Sequence, residues 1–262
     1  MDELPWADHQ LVFVGGLHRS GTSLVESLLS GHPSASGLTG TGAPEDEGQH
    51  LQDVYPTARA LGGPGRFALS PQSHLTDDSP WAVPSSAPRL FDAWSPFWDL
   101  SKPVLVEKSP PNLMRSRFLQ ALFPAARFVM VVRHPVEVSL ATEKWTPDLS
   151  FSRLLEHWFV AHDRFEKDRG RIGQILVVRY ERLLAEPSRV LAELAAFTGL
   201  EGLTDNDAID ATVHSTYGER WQDRIDREGS AWLGDLTDRF GTRAAAYGYR
   251  LDDLSTLERG QR

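Results

Sequence analysis

The sequence predicts one α/β domain with a P-loop-like fold, in which a central parallel sheet is flanked by helices. Short apolar segments rich in valine, the pattern of strands covered on both faces, alternate along the chain with segments of helical periodicity. A glycine-rich turn joins the first of these strands to the first helix. Ligands of such sheets bind beyond the carboxyl ends of the strands, so the functional residues should follow the strands directly.

The first predicted unit is the stretch LVFVGGLHRSGTSLVESLLSGHP, residues 11–33. It runs from an apolar strand through the glycine-rich turn into a helix. The apolar face of that helix is formed by Leu24, Val25, Leu28 and Leu29. Three further strands are predicted at residues 103–107, 127–132 and 174–179, and further helices at residues 151–165 and 187–198.

The length of the chain bounds its organisation. With 262 residues it suits one domain better than two, so we expect a single domain over residues 1–262 with a core at about residues 10–250. The segment 61–90 is dense in Gly, Pro and Ser and lacks periodicity, which predicts a lid-like loop. Residues 250–262 are expected to form a polar tail.

The composition argues against several classes of function. A net charge of −9 disfavours binding to nucleic acid or to an anionic membrane. The absence of cysteine excludes disulfides and thiolate metal sites, and no His, Asp or Glu cluster has metal-ligand spacing. No apolar run approaches the roughly 20 residues that span a bilayer, and the N-terminus lacks a signal-peptide core. We expect a cytoplasmic protein without a metal, and the oligomeric state stays open.

The turn after the first strand has the chemistry of an anion-binding loop. Gly16 and Gly21 are separated by four residues, as in a nucleoside-triphosphate P-loop, but the position of the usual lysine is Thr22. Arg19 supplies a positive charge inside the loop instead. Backbone N–H groups, the helix dipole and the hydroxyls of nearby serine and threonine residues would add hydrogen bonds to an anion.

The predicted strand ends carry cations where a Mg-nucleotide site needs carboxylates. Glu107 closes one strand but is followed at once by Lys108, and another strand ends in Arg133. This pattern favours an anionic ligand that the protein neutralises directly. Two alternatives stay open, an ATP-dependent P-loop kinase of small molecules and a nucleotide-binding relative without turnover.

Three blocks of sequence resemble sulfotransferases that use 3′-phosphoadenosine 5′-phosphosulfate (PAPS), particularly the bacterial, tyrosylprotein and Golgi branches. The loop GLHRSGTSL is similar to their 5′-phosphosulfate loop. The segment EKSPPNLMRSRFLQALFPAARFVMVVRHPVEVSLA resembles their second block, which contains the 3′-phosphate motif. The segment VVRYERLLAEPSRVLAELAAFTGL resembles their third block. The blocks occur in the family's order and cover most of residues 11–200.

The resemblance implies roles for individual residues around PAPS and its product, 3′-phosphoadenosine 5′-phosphate (PAP). The 5′-phosphosulfate would be bound by Arg19, Ser20, Gly21, Thr22 and Ser23. Lys108 matches a lysine near the leaving phosphate, and Arg133 matches the arginine that binds the 3′-phosphate. The other expected nucleotide contacts are Ser139, Tyr180, Tyr217 and Arg220. The family's serine eight residues after the arginine is Ala141 here, so Ser139 or Thr142 would have to supply that hydroxyl.

The resemblance also implies a carboxylate general base in the stretch GAPEDEGQHLQ, for a hydroxyl acceptor that is a small metabolite, lipid or peptide. Glu47 is the first choice because it precedes an apparent helix containing His50 and Leu51. Glu45 is the second choice and His50 is the third. The competing interpretation is that these acidic residues merely favour the first turn of that helix.

Overall fold

The protein is built around a five-stranded parallel sheet in a computed structural model that describes residues 4–204, 209 and 213–254. The strands are β1 (Gln10–Gly16), β2 (Ala35–Gly37), β3 (Val104–Lys108), β4 (Arg127–Val132) and β5 (Ile175–Arg179). Their order across the sheet is β2-β3-β1-β4-β5, so β1 lies at the centre. Val14 of β1 pairs with Lys108 of β3, and Gly16 pairs with Val131 of β4. The loop after β1 therefore emerges between the ends of β3 and β4.

Helices cover both faces of this sheet. Their bounds are α1 (Thr22–Ser30), α2 (Ser86–Trp94), α3 (Ser116–Leu122), α4 (Pro135–Thr142), α5 (Phe151–Arg169), α6 (Tyr180–Ala185), α7 (Pro187–Thr198), α8 (Val213–Glu228) and α9 (Ser230–Ala246). Side chains alternate between the faces of a strand, so β1 directs Val12 and Val14 into one apolar cluster and Phe13 into the other. The first cluster includes residues of α1 and α7, and the larger second cluster includes residues of α2, α3 and α5.

The predicted elements agree with the structure to within a few residues, and the fold class is confirmed. The strand expected at 127–132 and the helix expected at 187–198 have the observed bounds. The strand expected at 103–107 is shifted by one residue, because Lys108 still pairs with Val14. The helix expected at 151–165 continues to Arg169. Strand β2 was not predicted, since its three residues carry no periodic pattern.

Two irregular segments differ from the expectation in how they pack. The segment 61–90 contains 3₁₀ turns at Phe67–Leu69 and Pro71–Ser73, and α2 already begins at Ser86. Its apolar side chains are buried in the core, including Phe67 and Leu75. A lid movement of this segment stays a prediction. Of the expected polar tail, Leu251 and Leu254 are buried in the core, and residues 255–262 lie outside the described part of the chain.

The α-helices of the described residues contain between 6 and 19 residues each. None of those helices is both long enough and apolar enough to cross a membrane.

Two glycines that end helices give a matched test of backbone strain. Gly199 ends α7 with a left-handed φ of 80°, whereas Gly170 ends α5 with a φ of −67°. We expect Gly199→Ala to lower the free energy of unfolding by roughly 1–2 kcal/mol, the cost of a left-handed alanine. Gly170→Ala should raise it by about 0.4–1 kcal/mol, because alanine fits that conformation and has fewer unfolded states.

Urea denaturation of both variants against the wild type measures this difference. Neither glycine crowds a new methyl group: at Gly199 the nearest atom is 3.6 Å away, and at Gly170 no described atom lies within 4 Å. Equal effects of the two substitutions would contradict the strain assigned to Gly199.

Candidate active site

The loop after β1 presents backbone donors at the carboxyl edge of the sheet. Gly21 precedes α1 in a left-handed conformation with a φ of 100°, and no described side chain caps the helix. The first helical hydrogen bond runs from Val25 N to Gly21 O over 3.1 Å, which leaves the N–H groups before it for an external anion. Thr22 is buried and Ser23 is exposed in the first turn of α1.

Two side chains fix the shape of this loop. The hydroxyl of buried Ser20 donates to Leu17 O over 2.7 Å, so in this structure Ser20 closes the loop on itself. The ring of Tyr180 packs against Gly21 so closely that a Cβ there would lie 2.4 Å from Cδ2 of Tyr180. Only glycine combines this contact with the left-handed conformation. The first residue of α6 thus supports the loop after β1.

Arg19 is the exposed cation of the loop. Its backbone has a left-handed φ of 70°, and its guanidinium lies 5.3 Å from the ring centroid of Trp145. The carbonyl of Arg19 accepts a hydrogen bond of 3.2 Å from the guanidinium of Arg133. The loop is therefore tied to the end of β4 through its backbone, while the side chain of Arg19 stays at the surface.

Arg133 lies in a nearly closed aromatic and acidic environment. Its guanidinium carbon is 4.3 Å from the ring centroid of Tyr180 and 4.7 Å from that of Tyr217. Its Nε donates to Glu137 over 2.6 Å, and its side chain is 6% exposed. The Nη2 of Arg133 is buried and has no hydrogen-bond partner among the described residues. The structure thus brings Arg133, Tyr180 and Tyr217 together.

The hydroxyls of α4 differ in what they bind. Thr142 donates to Val138 O over 2.7 Å, so its hydroxyl is already used inside the helix. The hydroxyl of buried Ser139 has no partner in the described part of the protein. Of the two candidates for the hydroxyl missing at Ala141, Ser139 therefore has the available group. Arg220 is exposed, donates to Leu140 O over 3.0 Å and lies 5.0 Å from the ring of Tyr217.

Lys108 and Glu47 form a buried ion pair at the end of β3. The ammonium nitrogen of Lys108 is 3.3 Å from Oε1 of Glu47, and the two side chains are only 4% and 7% exposed. The same ammonium donates to the carbonyl of Glu45 over 3.0 Å. The other carboxylate oxygen of Glu47 accepts from the Gln49 side-chain amide over 2.6 Å. The carboxylate is thus fixed on both of its oxygens.

Glu45 and His50 lie at the margins of this pair. Glu45 has an exposed side chain and a left-handed φ of 54°, and it lines a cleft of about 260 Å³ that also reaches Lys108. Nε2 of His50 is 3.6 Å from Oε2 of Glu47. Burial lowers the pKa of His50, although the Glu47 carboxylate opposes this shift. The helix expected over His50 and Leu51 is wrong, because only a 3₁₀ turn forms at Gly48–His50.

A set of polar residues that binds the backbone next to Glu47 was not predicted from the sequence. The Glu107 carboxylate accepts from Gly48 N over 3.0 Å, from the Ser109 hydroxyl over 2.6 Å and from the Asn112 amide over 2.6 Å. Burial raises the pKa of Glu107 to about 7, and these hydrogen bonds oppose the shift. The fully buried guanidinium of Arg115 interacts electrostatically with the carboxylates of both Glu107 and Glu47.

The half-buried His18 of the loop and the buried His157 of α5 both pack against Phe67. The ring of His18 lies 5.6 Å from that of Phe67, which lies 5.0 Å from that of His157. Burial lowers the pKa of each histidine to about 3, and in His18 the positive charge of Lys108 adds to the shift. Both rings are neutral near pH 7. His18 therefore packs within the loop and is a poor general base.

The sequence profile of the sulfotransferase family matches residues 11–205, from β1 past the end of α7. The chain belongs to the sulfotransferase family. Within the described residues, no group of three or more His, Asp or Glu side chains could hold a metal ion.

Individual relatives are distant. The chain is 27% identical to protein-tyrosine sulfotransferase 2 of Gallus gallus over 201 residues, which cover 72% of this chain and 51% of the relative. It is 24% identical to an uncharacterized Aquifex aeolicus (strain VF5) protein over 220 residues, 72% of this chain and 25% of the relative. The chain thus spans at most about half the length of these two relatives. The crystal structure of sulfotransferase STF9 from Mycobacterium avium matches with a TM-score of 0.51 and 17% identity. The match covers 93% of this chain and 78% of that one, so the two proteins share the fold.

The low pKa of His157 predicts a pH-dependent stability. Its ring binds a proton below about pH 6.5 when unfolded but only near pH 3 when folded, so its contribution to stability is lost as the pH falls through this window. From pH 7 to pH 5 the loss should reach about 2 kcal/mol. The stability difference between the wild type and His157→Gln should shrink by that amount.

Chemical denaturation of both proteins at the two pH values measures this change. Taking the difference cancels the contributions of the carboxylates, which titrate in both proteins. A stability difference that stays constant between pH 7 and pH 5 would contradict the low pKa of His157.

Proposed function

We propose that the protein transfers a sulfuryl group from PAPS to the hydroxyl of an acceptor. The buried pair of Lys108 and Glu47 carries the proposal, because it combines a cation for a leaving phosphate with a carboxylate for a proton. The loop after β1 lies next to this pair, since β1 and β3 are adjacent and Val14 pairs with Lys108. Membership of the sulfotransferase family supports the class of reaction.

The residues around the loop fit the two charged ends of PAPS. The Nη2 of Arg133 and the hydroxyl of Ser139 are buried polar groups without a described partner, and the 3′-phosphate would supply acceptors for them. The uncapped N-terminus of α1 and the side chain of Arg19 would bind the 5′-phosphosulfate. The rings of Tyr180 and Tyr217 pack against the guanidinium of Arg133 and would hold it in place beside the nucleotide.

The chemistry would be an in-line displacement at sulfur. PAPS supplies an activated sulfuryl group on a phosphate leaving group. Glu47 would accept the proton of the acceptor hydroxyl as its oxygen bonds to sulfur and the bond from sulfur to the 5′-phosphate oxygen breaks. Lys108 and Arg19 would stabilise the negative charge that collects on the departing PAP.

The acceptor would be a small metabolite, a lipid or a peptide that carries a hydroxyl. The similarity to a protein-tyrosine sulfotransferase supports a peptide as the acceptor. An ATP-dependent kinase and a relative without turnover are the alternatives, and they differ in measurable ways. A kinase would need a divalent metal ion and ATP, and a relative without turnover would bind PAP but release none from PAPS. A cytoplasmic location also stays a prediction from the sequence.

Binding of the donor tests the class of the site. Calorimetry should give tighter binding of PAP than of ATP without a divalent metal. Arg133→Ala should weaken PAP binding roughly 10- to 100-fold, the worth of one charge-assisted hydrogen bond of about 1.5–3 kcal/mol. It should change the affinity for adenosine 5′-phosphosulfate, which lacks the 3′-phosphate, much less.

Arg89→Ala is the matched control, because Arg89 is an exposed arginine whose partner is the exposed Asp53. Equal losses for both nucleotides in Arg133→Ala would show that Arg133 does not bind the 3′-phosphate. Tight ATP binding that requires Mg²⁺ would favour the kinase.

Substitution of one carboxylate at a time tests which residue is the general base. Glu47→Gln keeps the size of the side chain but cannot take a proton near neutral pH, so turnover should fall roughly 10²- to 10⁴-fold with PAP binding retained. Glu45→Gln, two residues away and exposed, should keep most of the activity. Release of PAP from saturating PAPS, with a panel of phenols, aliphatic alcohols and tyrosine peptides as acceptors, measures both variants.

The reverse result, an inactive Glu45→Gln and an active Glu47→Gln, would move the base by two residues. Wild-type rates in both variants would exclude a carboxylate base in this segment and make His50 the next candidate.

A further inference from the structure

We infer that Glu107 is the positioning residue of this site: it anchors the backbone that carries Glu47 and so sets where that carboxylate lies. The catalytic meaning of the inference rests on the proposed function, whereas the anchoring itself does not. Glu107 and Lys108 are consecutive at the end of β3, and both contact the segment 45–49. Lys108 binds the carboxylate of Glu47, and Glu107 binds the backbone that follows it.

The anchor consists of two consecutive amides. Gly48 N donates to Oε1 of Glu107 over 3.0 Å. Gln49 N donates over 3.0 Å to the hydroxyl of Ser109, and that hydroxyl donates over 2.6 Å to the same Oε1. One buried carboxylate oxygen thus holds both peptide groups after Glu47, because Ser109 relays the second one.

The carbonyl of Gly48 is held as well, by a residue of α2. Trp94 Nε1 donates to Gly48 O over 3.0 Å. A Cβ at Gly48 would lie 2.6 Å from Oε1 of Glu107 and 2.8 Å from Nε1 of Trp94. The residue after Glu47 therefore has to be glycine because the carboxylate and the indole approach its backbone from two directions, and the peptide is clamped between β3 and α2.

The clamp reaches the carboxylate of Glu47 through Gln49. The backbone of Gln49 is held by Ser109, and its side-chain amide donates to Oε2 of Glu47 over 2.6 Å. The amide oxygen of Gln49 accepts from Ala58 N over 2.8 Å, which fixes the orientation of the amide group. Contacts thus run without a break from Glu107 through Ser109 and Gln49 to Glu47.

Glu107 itself is suited to positioning and unsuited to proton transfer with an acceptor. Its side chain is buried, and its two oxygens accept from Gly48, Ser109 and Asn112. These donors are groups of the protein itself. An acceptor hydroxyl would have to displace one of them to reach Glu107, and Glu107 does not line the cleft of about 260 Å³ that Lys108, the partner of Glu47, lines.

The test compares Glu107→Gln with a matched pair of serine variants. Gln keeps the shape of Glu107 but removes its charge and turns one acceptor into a donor facing the Asn112 amide. Ser109→Ala removes the hydroxyl that relays the bond from Gln49. Ser116→Ala is the control, because it removes an equally buried hydroxyl that bonds only to Asn112 O one turn earlier in the chain.

Amide hydrogen exchange by NMR reports the anchor directly. Exchange at Gly48 and Gln49 should become about tenfold faster or more in Glu107→Gln, the loss of roughly one hydrogen bond. In Ser109→Ala only Gln49 should exchange faster by that factor, because Gly48 N keeps its direct bond to Glu107, and in Ser116→Ala both amides should stay unchanged. Turnover of PAPS with the acceptor panel should fall about 10- to 100-fold in the first two variants, as a displaced catalytic group predicts. PAP affinity should stay within about twofold, since the nucleotide contacts lie elsewhere.

The outcomes separate the inference from the proposed function. Unchanged exchange at Gly48 and Gln49 in Glu107→Gln overturns the inference, as does faster exchange with wild-type turnover. If Glu107→Gln fails to fold, the comparison of Ser109→Ala with Ser116→Ala decides the test. If the wild type releases no PAP with any acceptor, the proposed function fails, and the exchange data still decide whether Glu107 anchors this segment.

Discussion

The site depends on one constraint, that charges buried at the carboxyl edge of the sheet must be paired. Transfer of an isolated ammonium or carboxylate out of water costs several kcal/mol, and removal of one partner of a buried pair leaves that cost uncompensated. Lys108 is paired with Glu47, and Arg133 with Glu137. The protein thus pairs its own cations with its own carboxylates, at the strand ends where phosphates would bind in the proposed reaction.

The same constraint explains why distant segments meet here. The loop after β1 is supported by Tyr180 of α6 and joined to Arg133 of β4 through a backbone carbonyl. The segment that carries Glu47 is fastened to the end of β3 through Glu107 and Ser109. The hydrogen bonds among these contacts satisfy polar groups that would otherwise lack a partner. The backbone at Gly48 is held by the carboxylate of Glu107, whereas the side chain of Arg19 is exposed.

The sequence predicted the elements whose pattern is local. Strand β4 and helix α7 have periodic apolar residues and clear ends, and Lys108 and Arg133 follow strands directly, so their shared edge could be expected. Contacts that join remote segments had no local signal. The amide of Gln49 meets Ser109 across sixty residues, and this tertiary bond replaces the helix expected at His50 by a single 3₁₀ turn. A carboxylate closing an apolar strand was visible at Glu107, but its partners were not.

The proposed chemistry makes use of the pairing of Lys108. Its ammonium is paired with Glu47 at 3.3 Å, which limits how strongly it attracts other anions. If Glu47 accepts the proton of the acceptor as proposed, its negative charge would disappear at the moment when charge grows on the leaving phosphate. Lys108 would then have that phosphate as its main counter-charge, so its stabilisation would be stronger in the transition state than in the ground state. Only such a difference lowers the barrier. A carboxylate at Glu45, which offers Lys108 only its backbone carbonyl, would not couple the two events, and this is the physical reason to favour Glu47.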